Sequence, residues 1–371
     1  MSLIMHITTY QAWVQAQQRG HYQTPSLQQE GFIHCSTPRQ TLGVANSMFH
    51  GERGLVLLCI DEDKVASAIS YEDCYETGQE FPHIYGPLNL EAVVRVVPFT
   101  PDADGKFALP DTFVEPSLRC NYPILEFDPG QEALIEPSQV LRPIDIPRRC
   151  VLCFFQDVIA SLKEKESLRL LHNLGSEIGH NPVYEIEVDG RRLALCHPGV
   201  GAPLAAAFMD ELIALGCRRF IICGGAGALN SALALGHVVV PTSAVRDEGT
   251  SYHYLPPARE VSPTADAVAA VEKVLQRAGV DYVAGKTWTT DGVYRETVGK
   301  IQLRRAEGCL TVEMEAAAFF AVAHFRGVAV AQILYGGDDL GSDAWDSRHW
   351  QRQAGVREKL FWLAAESCLE L

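Results

Sequence analysis

From Arg149 onward, short apolar runs alternate with longer segments of helical period, and no other feature of the sequence narrows the fold as much. A strand buried on both faces reads as a continuous apolar run, whereas a helix on a sheet carries apolar residues three and four apart. Arg149–Phe155, FIICGG (220–225), HVVVPTSAV (237–245), Val283–Thr290 and Val328–Tyr335 are of the first kind. Pro203–Leu215, Ala265–Ala278, Glu313–Phe325 and Ala354–Leu369 are of the second. In the first of these, Leu204, Ala207, Phe208, Glu211, Leu212 and Leu215 share a stripe and Gly216 supplies the stop. VYEIEV (183–188) and RRLALC (191–196), joined by Asp189-Gly190, read as a hairpin, because Asp-Gly suits the primed turn that matches strand twist. The order predicts an α/β fold, a three-layer sandwich around a central mixed, largely parallel sheet.

A chain of 371 residues exceeds one typical core. Residues 1–115 are read as a smaller N-terminal α+β domain, with strands at Met5–Thr9, Gly54–Ile60 and Val93–Pro98 and a helix at Tyr10–Gln18. A polar stretch with Pro110 and Pro116 closes it, and the second half begins around Arg119. Residues 116–148 are a Pro-rich lead-in without periodicity, and 149–371 form the catalytic domain. Met1-Ser2-Leu3 reads as an expression remnant, with Met5 as the natural start.

A formal charge of −15 argues against a nucleic-acid partner, which needs clustered Lys and Arg, but leaves room for a small anion in a local pocket. No apolar run approaches the roughly 18 residues of a membrane span and no secretory leader opens the chain, so a cytoplasmic protein is expected. The eleven cysteines are scattered and several, such as Cys59, Cys196 and Cys223, lie in apolar runs, the pattern of buried thiols. Cys150 and Cys153 sit on a strand at a spacing that puts them on opposite faces, which argues against a redox or zinc pair. No metal-ligand set is expected.

Four segments carry candidate chemistry. Gly199 and Gly201, in PGVGAP (198–203), lie between a strand end and a helix start, where unpaired N–H groups face a ligand. Gly225, Ala226 and Gly227 end a buried strand and leave bare backbone for a planar group. In VEMEA (312–316), Glu315 can accept from vicinal hydroxyls and Met314 offers a soft apolar surface. Asp338 and Asp339 follow the last core strand, a placement suited to general acid–base work. Each has a structural alternative: a tight turn, a steric need between strands, solvated acids at a helix start, an N-cap.

Taken in order over about 150–340, these segments resemble the nucleoside phosphorylase and nucleosidase superfamily, as do VRDEGTSYHY (245–254) and TTDGVYRE (289–296). The resemblance implies cleavage of a base–ribose bond. Glu315 would bind ribose hydroxyls, Met314 would lie against the sugar and Glu313 would assist at its edge. Asp338 would protonate the departing purine, while Gly225, Ala226, Gly227, Val293, Tyr294 and Arg295 would line the base site. His253 and Tyr254 would sit near the site mouth of a homo-oligomer. No cofactor is implied, with inorganic phosphate as a candidate co-substrate. The phosphorylases of the family place Arg at the position of Ile222, Ser or Thr at Gly225, a Gly-Asp-Pro-x-Arg loop at FFQDV (154–158) and Ser at Leu204. Hydrolysis is therefore favoured, with Asp157 orienting water, unless Arg246 or Arg295 supplies another phosphate site. A non-catalytic nucleoside sensor is the rival from another class; a dinucleotide-dependent oxidoreductase is disfavoured because no complete G-x-G-x-x-G is present.

MHITT (5–9), EGFIHCST (30–37), GVAN (43–46) and FPHIYGPLNL (81–90) resemble a bacterial domain of uncharacterised function, DUF952. The resemblance implies a fold related to ADP-ribosyltransferases, with His6, His34, His83 and Tyr85 as its candidate polar cluster.

Overall fold

The structure, a computed structural model, describes residues 3–38, 40–74, 78–109, 120–130, 132–233, 235–342, 344–350 and 353–371. It divides into two compact units, Met1–Arg119 and Cys120–Leu371. Pro110, Pro116 and the boundary expected near Arg119 lie outside the described residues.

The first unit runs β1 (Leu3–Thr9), α1 (Tyr10–Arg19), β2 (His21–Tyr22), α2 (Pro25–Gln29), β3 (Ile33–His34), α3 (Thr41–Met48), β4 (Leu55–Asp61), β5 (Ala68–Glu72), β6 (Phe81–Tyr85), β7 (Leu88–Asn89) and β8 (Val93–Phe99). Thr9 caps α1 by accepting from the Ala12 N–H, and Gly20 ends it at φ 80°, a conformation that favours glycine. β4 lies between β1 and β8 in an antiparallel sheet, and β6 between β3 and β5 in a second. One apolar cluster holds Ile4, Trp13, Val56 and Leu58; another holds Met5, Leu57, Cys59 and Phe99. The alternation along β1 and β4 supplies both.

The second unit contains α4 (Pro137–Val140), β9 (Arg149–Cys153), α5 (Gln156–Glu164), β10 (Arg169–Ser176), β11 (Gly179–Val188), β12 (Arg191–Cys196), α6 (Ala202–Leu215), β13 (Arg219–Ala228) and β14 (Val238–Asp247). It continues with β15 (Glu260–Val261), α7 (Ala265–Arg277), β16 (Tyr282–Thr290), α8 (Val298–Ala306), β17 (Cys309–Glu313), α9 (Ala316–Arg326), β18 (Ala329–Asp339) and α10 (Ala354–Glu370). Asp189 (φ 51°) and Gly190 (φ 69°) make the two-residue turn between β11 and β12, with Val188 opposite Arg191. β9, β12, β13 and β18 pair in parallel, and so do β14, β16 and β17.

The sheet also closes on itself. β13 pairs with β18, β18 with β14, β14 with β16, β16 with β17, and β17 returns to β13 at Val312↔Gly227. Gly227 permits that return: a Cβ there would stand 2.5 Å from Leu340 and 3.0 Å from Val312. Helices cover both faces. Phe208, Met209 and Leu212 of α6 and Phe319 and Phe320 of α9 pack with Cys150, Leu152 and Ile222. Val158 of α5, Val271 and Val274 of α7 and Phe361 of α10 pack with Val151, Cys153 and Ile221. Each such buried side chain contributes about 1.5–3 kcal/mol. Cys150 and Cys153 thus face opposite layers, both as free buried thiols.

Two boundaries and one helix face differ from the sequence reading. Glu313 ends β17 instead of starting a helix, because its apolar neighbours pair with β16 first. Asp338 and Asp339 lie within β18, which runs past Tyr335 because Gly336 still pairs with Ala226 and Asp339 with Ala228 across a register shift. On α6 the buried face turns toward Ala205, Ala206 and Met209 and leaves Ala207 exposed.

Candidate active site

Where β17 passes into α9, Met314 and Glu315 form a two-residue corner. Glu313 Oε2 accepts from the N–H groups of Glu315 (2.7 Å) and Ala316 (2.6 Å), and its Oε1 accepts from Thr289 Oγ1 at 2.6 Å. The carboxyl therefore caps the first turn of α9, where unpaired N–H groups and the helix dipole favour negative charge. Glu315 Oε1 accepts from the Gly201 N–H at 2.6 Å, and Oε2 from the Met314 N–H at 3.3 Å. Gly201 sits just before α6 at φ 89°, so the glycine turn aims a backbone donor at the acid 114 positions away. Both acids are buried. Burial holds each above the ordinary carboxylate range, and the charge of Glu313 adds to the rise at Glu315. A carboxyl pair so placed keeps a proton near neutrality. Glu248 stands nearby with one buried oxygen, Oε1, lacking a hydrogen-bond partner.

A cleft of about 700 Å³ opens at the end of β18. Val293, Tyr294, Glu296, Asp338, Trp345 and Trp350 line it. Asp338 Oδ2 accepts from the Trp345 indole N–H at 2.8 Å. Glu296 is pushed up to about 7, first by burial and then by the charge of Asp338. Strand alternation turns the next acid the other way: Asp339 is buried and paired with Arg348 at 2.7 Å. Gly227 joins the cleft to the corner, since the Cβ it lacks would lie 3.4 Å from Asp338 Oδ1 and its strand partner Val312 immediately precedes Glu313. Asp338, Gly227, Ala226, Met314, Glu315 and Gly201 thus occupy one neighbourhood of adjoining strand ends and turns.

Other predicted residues lie elsewhere. Tyr254 does not stand at a site mouth: its hydroxyl donates to Asp210 Oδ2 at 2.7 Å and its ring packs on Phe325. His253 is exposed on the short turn Thr250–His253. Arg246 turns inward: its nitrogens bond Ser251 Oγ, Pro256 O and Leu255 O and its guanidinium lies over Tyr252. Asp157, in the first turn of α5, is paired with Arg357 at 2.9 Å instead of standing free for water. Arg295 is exposed against Gly292, and Gly199 (φ 78°) lies against Leu204. Ile222 is wholly buried, Phe154 covers Gly224, and the Tyr335 ring fills the space beside Gly225.

In the first unit, His6 is buried between the His34 carbonyl (2.6 Å) and the Tyr22 hydroxyl (2.8 Å), and burial lowers it to about 4. It is a satisfied core residue. His34, His83 and Tyr85 gather around Phe32, with ring centroids 4.8, 4.1 and 5.5 Å from it. Contrary to the expectation of no ligand set, Glu72, Cys74 and His83 bring three ligand atoms within 4.8 Å of one another. Sequence reasoning missed these two partners of His83. It also missed Glu296, Trp345 and Trp350; Glu296 sits within TTDGVYRE, yet nothing there signals its burial.

A model of the phosphorylase superfamily matches residues 148–359, and one described as a protein of unknown function (DUF952) matches residues 7–96. Guanosine phosphorylase of Halorubrum lacusprofundi is 30% identical over 178 residues, 46% of this chain and 74% of that protein. Uridine phosphorylase of Escherichia coli is 25% identical over 164 residues, 40% of this chain and 65% of that protein. Among solved structures, an AMP nucleosidase from Bacteroides thetaiotaomicron superposes with a TM-score of 0.51 at 22% identity, covering 62% of this chain and 95% of that one. A uridine phosphorylase from Vibrio fischeri gives 0.52 at 23% identity, covering 61% and 94%. The two superpositions establish the fold. Among the described residues no helix is long and apolar enough to cross a membrane.

Proposed function

Because the chain belongs to the phosphorylase superfamily, we propose that its second unit hydrolyses the N-glycosidic bond of a purine ribonucleoside, releasing free base and ribose. The observation that carries this reading is the junction at Gly227, which sets the acid pair Glu296–Asp338 beside the corner holding Met314 and Glu315. As the C–N bond lengthens, its electron pair moves to the base and the ribose takes on oxocarbenium character. The proton that Glu296 holds passes by way of Asp338 to the base, which lies in the tryptophan-lined cleft. Glu315 accepts from the ribose hydroxyls and faces the developing positive charge. Water adds to the anomeric carbon, and the proton it loses restores the acid pair. Glu313 acts from behind: by capping α9 it orients the corner without touching substrate.

Water as acceptor is supported by what fills the strand ends. A phosphate dianion needs charge-assisted donors. Ile222 lies in the apolar core, Phe154 covers Gly224, and Arg246 spends its donors on the 251–256 loop. No cofactor enters the chemistry. The nine buried free thiols suit a reducing compartment such as the cytoplasm. Tyr294, 95% exposed at the cleft mouth with Val293 and Trp345 near it, is read as part of a contact between copies in a homo-oligomer. The test is a nucleoside panel incubated with and without phosphate, with free ribose and ribose 1-phosphate measured separately. Phosphate-independent release of ribose supports the proposal. Strictly phosphate-dependent cleavage overturns it and makes Arg357, released from Asp157, the candidate anion holder. Binding without cleavage of any nucleoside makes the protein a sensor.

A further inference from the structure

The three ligand atoms in the first unit come from two neighbouring strands and the turn that follows one of them. On β5 the side chains of Ser70 and Glu72 share a face, and Cys74, in the turn just after the strand, brings its thiol back to Glu72 and His83. His83 on β6 pairs directly with Ser70, two positions along from the Glu72↔Phe81 pair, so Glu72 and His83 are diagonal neighbours on that face. Cys74 Sγ lies 3.6 Å from His83 Nδ1 and 3.8 Å from Glu72 Oε2, and the latter two atoms are 3.6 Å apart. A tetrahedral zinc ion with bonds of about 2.3 Å to sulfur and about 2.0–2.1 Å to nitrogen and oxygen requires ligand–ligand edges of roughly 3.3–3.6 Å. The three separations meet that triangle to within a few tenths of an ångström.

We propose that Glu72, Cys74 and His83 bind one zinc ion. A thiolate, an imidazole and a carboxylate suit Zn²⁺, which takes soft and borderline donors together, better than Mg²⁺ or Ca²⁺, which prefer all-oxygen shells. The ligands are themselves held in place by their neighbours. The Tyr85 hydroxyl donates to Glu72 Oε2 at 2.5 Å, and the Phe32 ring is stacked on His83 at 4.1 Å. His34 leans edge-on to His83 at 5.3 Å, but its Nε2 is held by Glu30 at 3.2 Å, so it braces the imidazole and does not complete the shell. The fourth position then faces solvent and takes a water or a substrate oxygen, the arrangement of an open zinc site and not of a closed structural one. His83 is buried and Cys74 exposed, which puts the ion at the rim of the β3–β6–β5 face.

The full chain, stripped with a chelator, is titrated with ZnCl₂ against a chromophoric competitor and in parallel with CoCl₂ by absorbance. One equivalent of zinc binds, with release of the Cys74 proton, and cobalt gives a thiolate-to-metal band together with tetrahedral d–d bands. Cys74→Ser abolishes the thiolate band and weakens zinc binding at least 100-fold, and Glu72→Gln weakens it at least 10-fold. Cys120→Ser, which removes the other exposed thiol, changes neither. Absence of the thiolate band in the parent chain overturns the proposal, and so does equal zinc affinity in the parent and Cys74→Ser. His83→Ala is also measured, but as His83 is buried the Cys74 and Glu72 variants are decisive, with circular dichroism of the metal-free proteins confirming their fold.

Discussion

Glu296→Gln tests the acid pair at the base end of the cleft. Glu296 rests at about 7 in the folded protein against 4.5 for an ordinary glutamate, with burial the larger cause and Asp338 the second. For a carboxyl wholly cut off from water, that difference corresponds to about 3 kcal/mol between its two protonation states. Glu296 is only partly buried, and solvent screening brings the figure to about 1–2 kcal/mol. The sign follows from proton counting. Between about pH 4.5 and 7 the folded state holds a proton that the unfolded state has released, so this group makes stability fall as pH rises through that window. Glutamine mimics the neutral form at every pH and removes the dependence. Denaturant unfolding of both proteins at pH 5 and pH 8.5 isolates the effect, because contributions from other groups cancel in the double difference. The variant gains about 1–2 kcal/mol relative to the parent on going from the lower to the higher pH. In kcat/KM for a purine nucleoside, the parent loses activity above about pH 7 as the Glu296 proton leaves; the variant is slower and lacks that limb. A pH dependence of stability identical in the two proteins refutes the reasoning, and so does an alkaline limb that persists in the glutamine variant.

Asp338→Asn lowers kcat on purine nucleosides by about 100-fold or more, the scale of general-acid loss, and leaves the thermal transition near its parent value. Steady-state kinetics and a melting curve check both halves. Glu315→Gln erodes the preference for ribonucleosides over 2′-deoxynucleosides by about 10-fold or more, read as a ratio of kcat/KM values; an unchanged ratio removes Glu315 from the hydroxyls. Arg326→Ala strips Asp210 and Glu136 of their ion-pair partner and costs about 2–4 kcal/mol in denaturant unfolding, because Asp210 is left buried with only the Tyr254 hydroxyl. A loss below about 0.5 kcal/mol contradicts the network.

The sequence made the architecture readable where local chemistry and tertiary fold agree. Asp189-Gly190 specified a turn that any hairpin there would need, and the buried strands were long enough to be unmistakable. The glycine turn before α6 and the VEMEA corner were visible as segments, and Gly201 does meet Glu315. What stayed hidden depends on direction. Asp338 and Asp339 are adjacent and chemically alike, yet one faces the cleft and the other an arginine. Arg246 near the end of β14 and Tyr254 in the loop after it are both polar, and only the packed structure reveals that both turn inward. Trp345 and Trp350 lie in a stretch without period, and the ligand set of the first unit is split between two five-residue strands and the turn after the first, whose pairing no local pattern announces.

The closed ring of strands has a bearing on how the second unit comes into being. β13 finds β9 behind it in the chain, but β17 and β18 emerge roughly a hundred residues later, and at typical synthesis speeds of about 5–20 residues per second that is a wait of roughly 5–20 s. During that interval the glycine-bearing end of β13 is an open strand edge, the kind of surface on which chains associate wrongly. Glu313, Glu315 and Asp338 all belong to the late-arriving strands and corner, so binding competence is the last property the nascent unit acquires. Pairings this distant in sequence also place the unit among slow folders, and its yield on refolding depends on protein concentration before it depends on final stability.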